Sequence, residues 1–213
     1  MELQIWMGRA GAGKSRRVLE TMQERRQRPQ ILLVPEHASH EAELDLCRFC
    51  GPTACRSAEV LTFQSLATRV LGETGGLADV TLDNGGKLLT MRRCLQELHT
   101  QLKVFGRPSQ RSAFLHQLTT LADEFYAYQI APETLYRHAE DMEGAMGDKL
   151  RDVALIFAAY DARLRHGGTD TRSRVQKLHD SLPQSHYLDG KDLYLDGFSF
   201  FNKQEESVLA LAL

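Results

Sequence analysis

Three short apolar runs, Gln4–Met7 (QIWM), Gln30–Val34 (QILLV) and Ala58–Phe63 (AEVLTF), are separated by segments of helix-forming composition. Runs of this length alternating with helices predict parallel strands joined by βαβ crossovers. Beyond about residue 80 the period changes. Leu88, Met91, Leu95, Leu98 and Leu102 recur at spacings of three and four, and so do two further sets: Phe114, Leu118, Leu121, Phe125 and Tyr128; Leu150, Val153, Phe157, Tyr160 and Leu164. Each set lays one apolar stripe along a helix, so amphipathic helices sharing a core are expected, with the aromatic positions packed inside rather than lining a cofactor box. Another helix is expected from Pro132, whose fixed φ suits a first turn, to about Met142. Leu193–Leu195 is the last strand candidate. The pattern divides the chain into a sheet-forming part at 1–80, a helical insertion at 81–190 and a return to the sheet at 191–213. Gly72–Gly76 and Arg165–Thr171 are the modest boundaries, and there is no internal repeat or low-complexity tract. Because the chain stops inside the apolar run Val208–Leu213, a fragment of a longer protein is expected.

Composition narrows the class. In 213 residues, 42% hydrophobic and 25% charged with a net charge of −2, there is enough apolar surface for a core. A histone-like polycation is excluded, though a local basic groove is not. The longest apolar stretch, Val153–Tyr160, falls far short of the roughly 18–20 residues a bilayer requires. The start, Met1–Ile5, lacks the basic and hydrophobic regions of a secretory signal, and a cytoplasmic location is expected. Cys47, Cys50, Cys55 and Cys94 do not make a disulfide framework. Cys47 and Cys50 have zinc-like spacing, but no second pair follows, so packed, reduced thiols are the simpler expectation. His37, His40 and Glu41 lack the zinc-protease spacing and read as a polar helix start.

The strongest chemical signal is Gly8-Arg9-Ala10-Gly11-Ala12-Gly13-Lys14-Ser15, which fits the phosphate-loop pattern in full. It follows a strand candidate and precedes a helix candidate at 16–25, the context that gives the motif meaning. Glycines let backbone N–H groups turn inward around phosphate oxygens. Lys14 is expected to reach the β- and γ-phosphates and Ser15 to hold Mg²⁺, with the helix N-terminus adding positive potential. A second metal ligand belongs at the end of another parallel strand. Asp196, closing Asp192–Asp196, has that character, making Leu193–Leu195 a Walker B-like strand; a plain turn aspartate is the alternative. Many helicase-type ATPases follow this aspartate with a glutamate that activates water. Here Gly197 follows, and glycine cannot take a proton. Either hydrolysis is weak or another carboxylate, with Glu205 and Glu206 nearest, serves instead.

Four separated motifs, GRAGAGKS (Gly8–Ser15), VPEHASHEAE (Val34–Glu43), AEVLTFQSLATRVL (Ala58–Leu71) and LYLDGFSFFNKQE (Leu193–Glu205), resemble the N-terminal part of the AddB subunits of bacterial AddAB helicase-nucleases. The third also resembles the Thr-Phe-His-Ser-Leu motif of UvrD/Rep-like superfamily 1 helicases, with Gln64 in place of His. The resemblance implies an α/β fold: a partial P-loop RecA-like parallel sheet (helicase domain 1A) interrupted by an all-helical, 1B-like insertion. It implies ATP and Mg²⁺ as cofactors, AddA and DNA as partners, and processing of double-strand DNA ends for recombinational repair. The family's nuclease domain and iron-sulfur cysteines lie far beyond a chain of this length and have no counterpart here. By the same resemblance Thr62, Phe63 and Gln64 lie along the single-strand DNA path, where backbone and hydroxyl contacts to phosphate are sequence-independent. Phe63 and Leu66 packing at a strand end is the alternative.

Residues 1–30 carry seven Lys/Arg (Arg9, Lys14, Arg16, Arg17, Arg25, Arg26, Arg28) against three Glu, a local excess that suits phosphate or a solvated helix face. Three readings follow. The chain is the ATP-binding part of a helicase-nuclease subunit; or it holds nucleotide without hydrolysing it and supports the AddA motor; or it is a small-molecule kinase with Arg163, Arg165, Arg172 and Arg174 as a lid. The TFQSLA segment and the long helical insertion fit the last poorly.

Overall fold

The computed structural model of the protein describes residues 3–51, 53–77, 82–106, 112–166 and 173–213. Met1 and Glu2, the part of the expected Arg165–Thr171 loop from 167 onward, and Arg172 lie outside the described residues. The fold is α/β, with a small parallel sheet and a majority of helix. It divides into two compact units, Met1–Leu77 with Arg174–Leu213, and Ala78–Ser173.

In the first unit, β1 (Gln30–Leu33), β2 (Ala58–Leu61) and β3 (Asp192–Leu195) form a parallel sheet in the order β2-β1-β3. Gln30 stands opposite both Ala58 and Asp192. Alternation along β1 sends Ile31 and Leu33 to one face and Leu32 and Val34 to the other, which is why the central strand reads as a continuous apolar run. The Ile31 face packs on α3 (Phe63–Thr74), α8 (Arg174–Ser181) and α9 (Lys203–Ala212) through Leu66, Val70, Leu178 and Val208. The Leu32 face packs on α1 (Lys14–Glu24) and α2 (Ser39–Cys50) through Val18, Met22 and Leu46.

Two expectations change here. Gln4–Met7 forms no regular strand: Leu3, Ile5 and Met7 are 62%, 71% and 91% exposed. The apolar alternation is present in the sequence, but a strand is stabilised by cross-strand pairs, and among the described residues the sheet is made of β2, β1 and β3. The return to the sheet-bearing unit also begins at Arg174 rather than near 191, because Val175, Leu178 and Leu182 join the core containing α3. The stretch leading from α8 to β3 is latched to α3. Ser185 Oγ and the His186 N–H (3.1 Å) both donate to the Glu73 carboxylate, and His186 Nδ1 lies 2.9 Å from Asp189.

Hydrogen bonds from Ser185 and the His186 amide hold the Glu73 carboxyl below its usual value of about 4.5. The hydrogen bond to Asp189, then the charges of Asp189 and Glu73, hold the His186 imidazole above about 6.5. A depressed carboxyl contributes above its unfolded pKa and fades as pH falls through the folded one; a raised imidazole contributes below its unfolded pKa and fades as pH rises through the folded one. The latch is therefore fully formed between about pH 4.5 and 6.5. NMR titration should find the His186 pKa above the free-imidazole value and Asp189→Asn should bring it down; an unchanged value in that variant would refute the pairing.

The second unit contains α4 (Asn84–Leu98), α5 (Ser112–Ala127), α6 (Pro132–Glu140) and α7 (Gly144–His166). Its core collects Met91, Leu95, Leu118, Phe157 and Tyr160 from the stripes read from the sequence, and adds Ile156, which lies outside them. The ends differ. Leu102 is buried but lies beyond α4, Tyr128 lies past the end of α5 and is exposed, and α6 stops at Glu140 rather than Met142. Gln129, with φ +55, leaves the right-handed region just after Tyr128, where no helix continues. Near α4's exit, Asp152 of α7, 3% exposed, accepts the backbone N–H groups of Lys103, Val104 and Phe105 at 3.0, 2.8 and 3.0 Å.

Candidate functional site

Three parallel strands put their carboxyl ends on one side, and in open α/β sheets the crevice beyond those ends is where ligands bind. β1 is followed by Val34, Pro35 and Glu36, β2 by Thr62, and β3 by Asp196 and Gly197. An aromatic trio ties two of these exits together. Phe63 meets Phe198 and Phe201 edge-on at 5.8 and 6.4 Å, and Phe198 lies 4.7 Å from Phe201. The cluster is legible in the sequence only as the string Phe198-Ser199-Phe200-Phe201, from which the structure buries two rings partly and leaves Phe200 72% exposed.

Asp196 is half-buried at the end of β3, its N–H bonded to Leu33 O at 3.1 Å. Gly197 has φ +79, and a Cβ there would stand 3.4 Å from Pro35 Cδ. A side chain at this position is strained by the left-handed backbone and crowded by the proline. The glutamates expected to substitute have other partners. Glu205 closes the capping box of α9, accepting the Asn202 N–H at 2.9 Å while Asn202 caps the Glu205 N–H, and Glu206 pairs with Lys203 at 3.2 Å.

The Gly8–Ser15 loop turns through Gly11 at φ +75 and Gly13 at φ +83, conformations that side chains resist. Ala12 N–H bonds Arg9 O at 3.2 Å. Lys14 Nζ donates to Gly8 O at 3.0 Å and Arg9 O at 2.9 Å, so its ammonium is drawn across the mouth of the loop. Gly13 caps α1 without a side-chain hydrogen bond, and the first turn holds no acidic residue. The helix's first N–H groups and its positive dipole end are therefore not neutralised by a local carboxylate, which suits an anion. Ser15 is exposed there. A hydroxyl and a carboxylate, Ser15 and Asp196, are hard oxygen donors of the kind Mg²⁺ accepts. Among the described residues no hydrogen bond or ion pair joins the loop to Asp196.

Elsewhere the geometry redistributes the expected roles. Thr62 is buried, its hydroxyl accepting Ser65 N–H at 3.2 Å while Ser65 Oγ accepts Thr62 N–H at 2.7 Å, a capping box for α3. Phe63 is buried in the aromatic trio, and Gln64 alone of the three presents its side chain to solvent. Much of the basic excess of the first thirty residues is in ion pairs: Arg16 and Arg17 with Glu20, Arg25 and Arg28 with Asp192. Of the lid arginines, Arg163 pairs with Glu97 and Arg165 with Asp161 in one unit, while Arg174 belongs to the other. Cys50 Sγ donates to Leu19 O at 3.7 Å, and burial pushes its thiol pKa up. Among the described residues there is no cluster of three His, Cys, Asp or Glu able to hold a metal, and no helix long and apolar enough to cross a membrane.

Residues 5–212 match a family model described as "ADDB, N-terminal". Curated proteins named as ATP-dependent helicase/deoxyribonuclease subunits of the B type are similar over 98% of this chain: 33% identical in Clostridium botulinum (strain Hall), 33% in Geobacillus thermodenitrificans and 35% in Desulforamulus reducens. In each case the match covers 19% of the relative, so the chain spans about a fifth of the length of these proteins.

Proposed function

The chain belongs to the AddB N-terminal family, and from that premise we propose that it is the nucleotide-binding, RecA-like part of a helicase-nuclease subunit that processes double-strand DNA ends for recombinational repair. The relatives are named as one kind of subunit, which supports a second, partner subunit. The proposed partner is the AddA helicase-nuclease, acting with it on DNA in the cytoplasm. The observation that carries the reading is the Gly8–Ser15 loop, with two left-handed glycines, a lysine held at its mouth and an uncapped helix N-terminus behind it. Lys14 would take the β- and γ-phosphates of ATP. Ser15 and Asp196 would hold Mg²⁺, which supplies charge neutralisation between the phosphates. Gln64 is the residue of the TFQSLA segment left to meet single-stranded DNA, with Thr62 and Phe63 building its support.

A specific observation favours binding without appreciable hydrolysis. No carboxylate follows Asp196, Gly197 has a backbone that disfavours one, and Glu205 and Glu206 are engaged within α9. Nucleotide would then set conformation or complex stability while the partner is the motor.

Lys14→Ala is the test. Calorimetric titration of the full-length protein with Mg²⁺ and a non-hydrolysable ATP analogue should show affinity falling about 100-fold, equivalent to about 2.7 kcal/mol, on loss of the ammonium–phosphate contacts. Equal affinity in the two proteins would refute the loop as the site.

A further inference from the structure

The first residues of two neighbouring strands both hold the carboxyl end of α1. Gln30, buried at the start of β1, donates from Nε2 to Met22 O at 3.0 Å, satisfying one of the carbonyls that a helix end leaves free. Asp192, its register partner at the start of β3, meets Arg25 at 3.7 Å and Arg28 at 3.5 Å just past the helix. Asp192 Oδ2 is buried and accepts no hydrogen bond among the described residues. The Arg25 guanidinium beside it therefore offsets its charge, and water screens this pairing less than one at the open surface.

The opposite end of α1 carries Lys14 and Ser15, and no hydrogen bond or ion pair among the described residues joins either side chain to the sheet. Alternation along β3 puts Asp192, Tyr194 and Asp196 on one face. The ladder supports this, since the Asp192 N–H bonds Pro29 O and the Asp196 N–H bonds Leu33 O. Tyr194 shows which face it is, because it shares a core with Val18 and Met22 of α1. The carboxylate that holds α1, the ring that packs on it and the carboxylate proposed for the metal thus lie in line along one side of β3. From Asp192 to Asp196 the strand rises about 13 Å, and from Arg25 back to Ser15 the helix covers about 15 Å. Two elements fastened together at one end therefore finish nearly level at the other.

We propose that Gln30 and Asp192 are positioning residues for the nucleotide site: by fastening the carboxyl end of α1 to β1 and β3, they set where its amino end offers Ser15 to an ion shared with Asp196. This rests on the nucleotide reading above. The two halves of that site depend on the fastening differently. Phosphate contacts from Lys14 and the loop amides come from one continuous stretch of chain and move with α1. A shared ion needs oxygens from two elements, α1 and β3, and Mg²⁺ tolerates little departure from octahedral geometry. A shift of α1 along the sheet therefore separates the ion's two protein oxygens and leaves the phosphate cradle whole.

Calorimetry of the full-length protein with a non-hydrolysable ATP analogue, once in Mg²⁺ and once in EDTA, tests this. The double variant Gln30→Met, Asp192→Asn keeps the side-chain volumes and removes both attachments. Its affinity in Mg²⁺ should fall about tenfold, as the competent arrangement becomes a minor one, while its affinity in EDTA stays within about twofold of wild type. Arg25→Gln with Arg28→Gln should reproduce the effect of Asp192→Asn alone and add nothing to it when combined, as partners in one interaction do. Exchange of the Ile31–Leu33 amides at the wild-type rate shows that the sheet of each variant is intact. Equal weakening in the two buffers would reduce the attachments to a support for folding and overturn the positioning role, and so would wild-type affinity in both. A wild-type protein that binds equally with and without Mg²⁺ would remove the shared ion and the positioning role while leaving the phosphate cradle. No wild-type binding in either buffer would remove the nucleotide reading itself, and the positioning role with it.

Discussion

Asp152→Ala is expected to destabilise the helical unit by about 3 kcal/mol. The side chain is buried at the middle of α7, and its two oxygens accept three consecutive backbone N–H groups from the segment after α4. Alanine leaves all three donors without their acceptor. Hydrogen bonds to a charged group contribute about 1.5–3 kcal/mol each in isolation, and three that share one carboxylate are not additive, so the total is held below their sum, at about the upper value for a single bond. The nearby ion pair of Lys103 with Asp148 at 2.9 Å lies at the surface and offers little compensation. Asp152→Asn keeps one acceptor oxygen. Turned towards Val104 and Phe105 it preserves two bonds and sets an amide donor against the Lys103 N–H, so about half the loss is expected. Urea unfolding followed by a probe in residues 84–166 measures both variants, and a loss below about 1 kcal/mol for Asp152→Ala would contradict the anchoring role. Exchange at Lys103–Phe105 should rise first.

Features carried by nearby residues are legible in the sequence, and those decided by distant partners are not. Ile31 to Leu33, doubly buried, reads as a strand because apolarity on both faces needs no knowledge of the neighbours. The stripes of α4, α5 and α7 are legible because a period of 3.6 is local. The loop is legible for the same reason, as glycines with required left-handed φ lie within one motif. Gln4–Met7 has the pattern of a strand, but whether such a run joins a sheet depends on partners outside it, and it forms no regular strand. Thr62 looks available to DNA because nothing in Thr62-Phe63-Gln64-Ser65 announces that Ser65 will cap it in return; the usual signature has Glu or Gln at that place. Asp152 carries no local mark at all, since its three partners lie in another stretch of chain. Gly197 reads as a missing base, and the structure adds that its backbone conformation disfavours restoring one.

Gly147→Ala separates local from tertiary reasoning most sharply, because the two predict opposite signs. Inside a helix, alanine replaces glycine with a gain of about 1 kcal/mol. Gly147 lies in the first turns of α7 and is buried, and a Cβ there would stand 2.1 Å from Met142 O, 3.0 Å from Met142 C and 3.4 Å from Ala139 O. These are backbone atoms of α6 and of the turn that joins it to α7, so no rotamer change relieves the overlap. Ordinary contact needs a backbone displacement of roughly 1 Å or more, and the turn can move only by lifting α6, whose Leu135 and Ala139 are buried. Overpacking of this kind costs about 3 kcal/mol, which outweighs the propensity gain. Gly144, at φ +73 with nothing within 4 Å of its Cβ position, should lose only about 1 kcal/mol on the same change, from backbone strain alone. Chemical denaturation of the two variants side by side should therefore rank Gly147→Ala well below Gly144→Ala. Analogue affinity in Gly147→Ala, measured below its unfolding transition, should stay at the wild-type value, because every loop residue proposed to touch phosphate lies in the other unit. A stabilised Gly147→Ala protein would mean that α6 and α7 are not as closely apposed at this turn as the 2.1 Å approach requires.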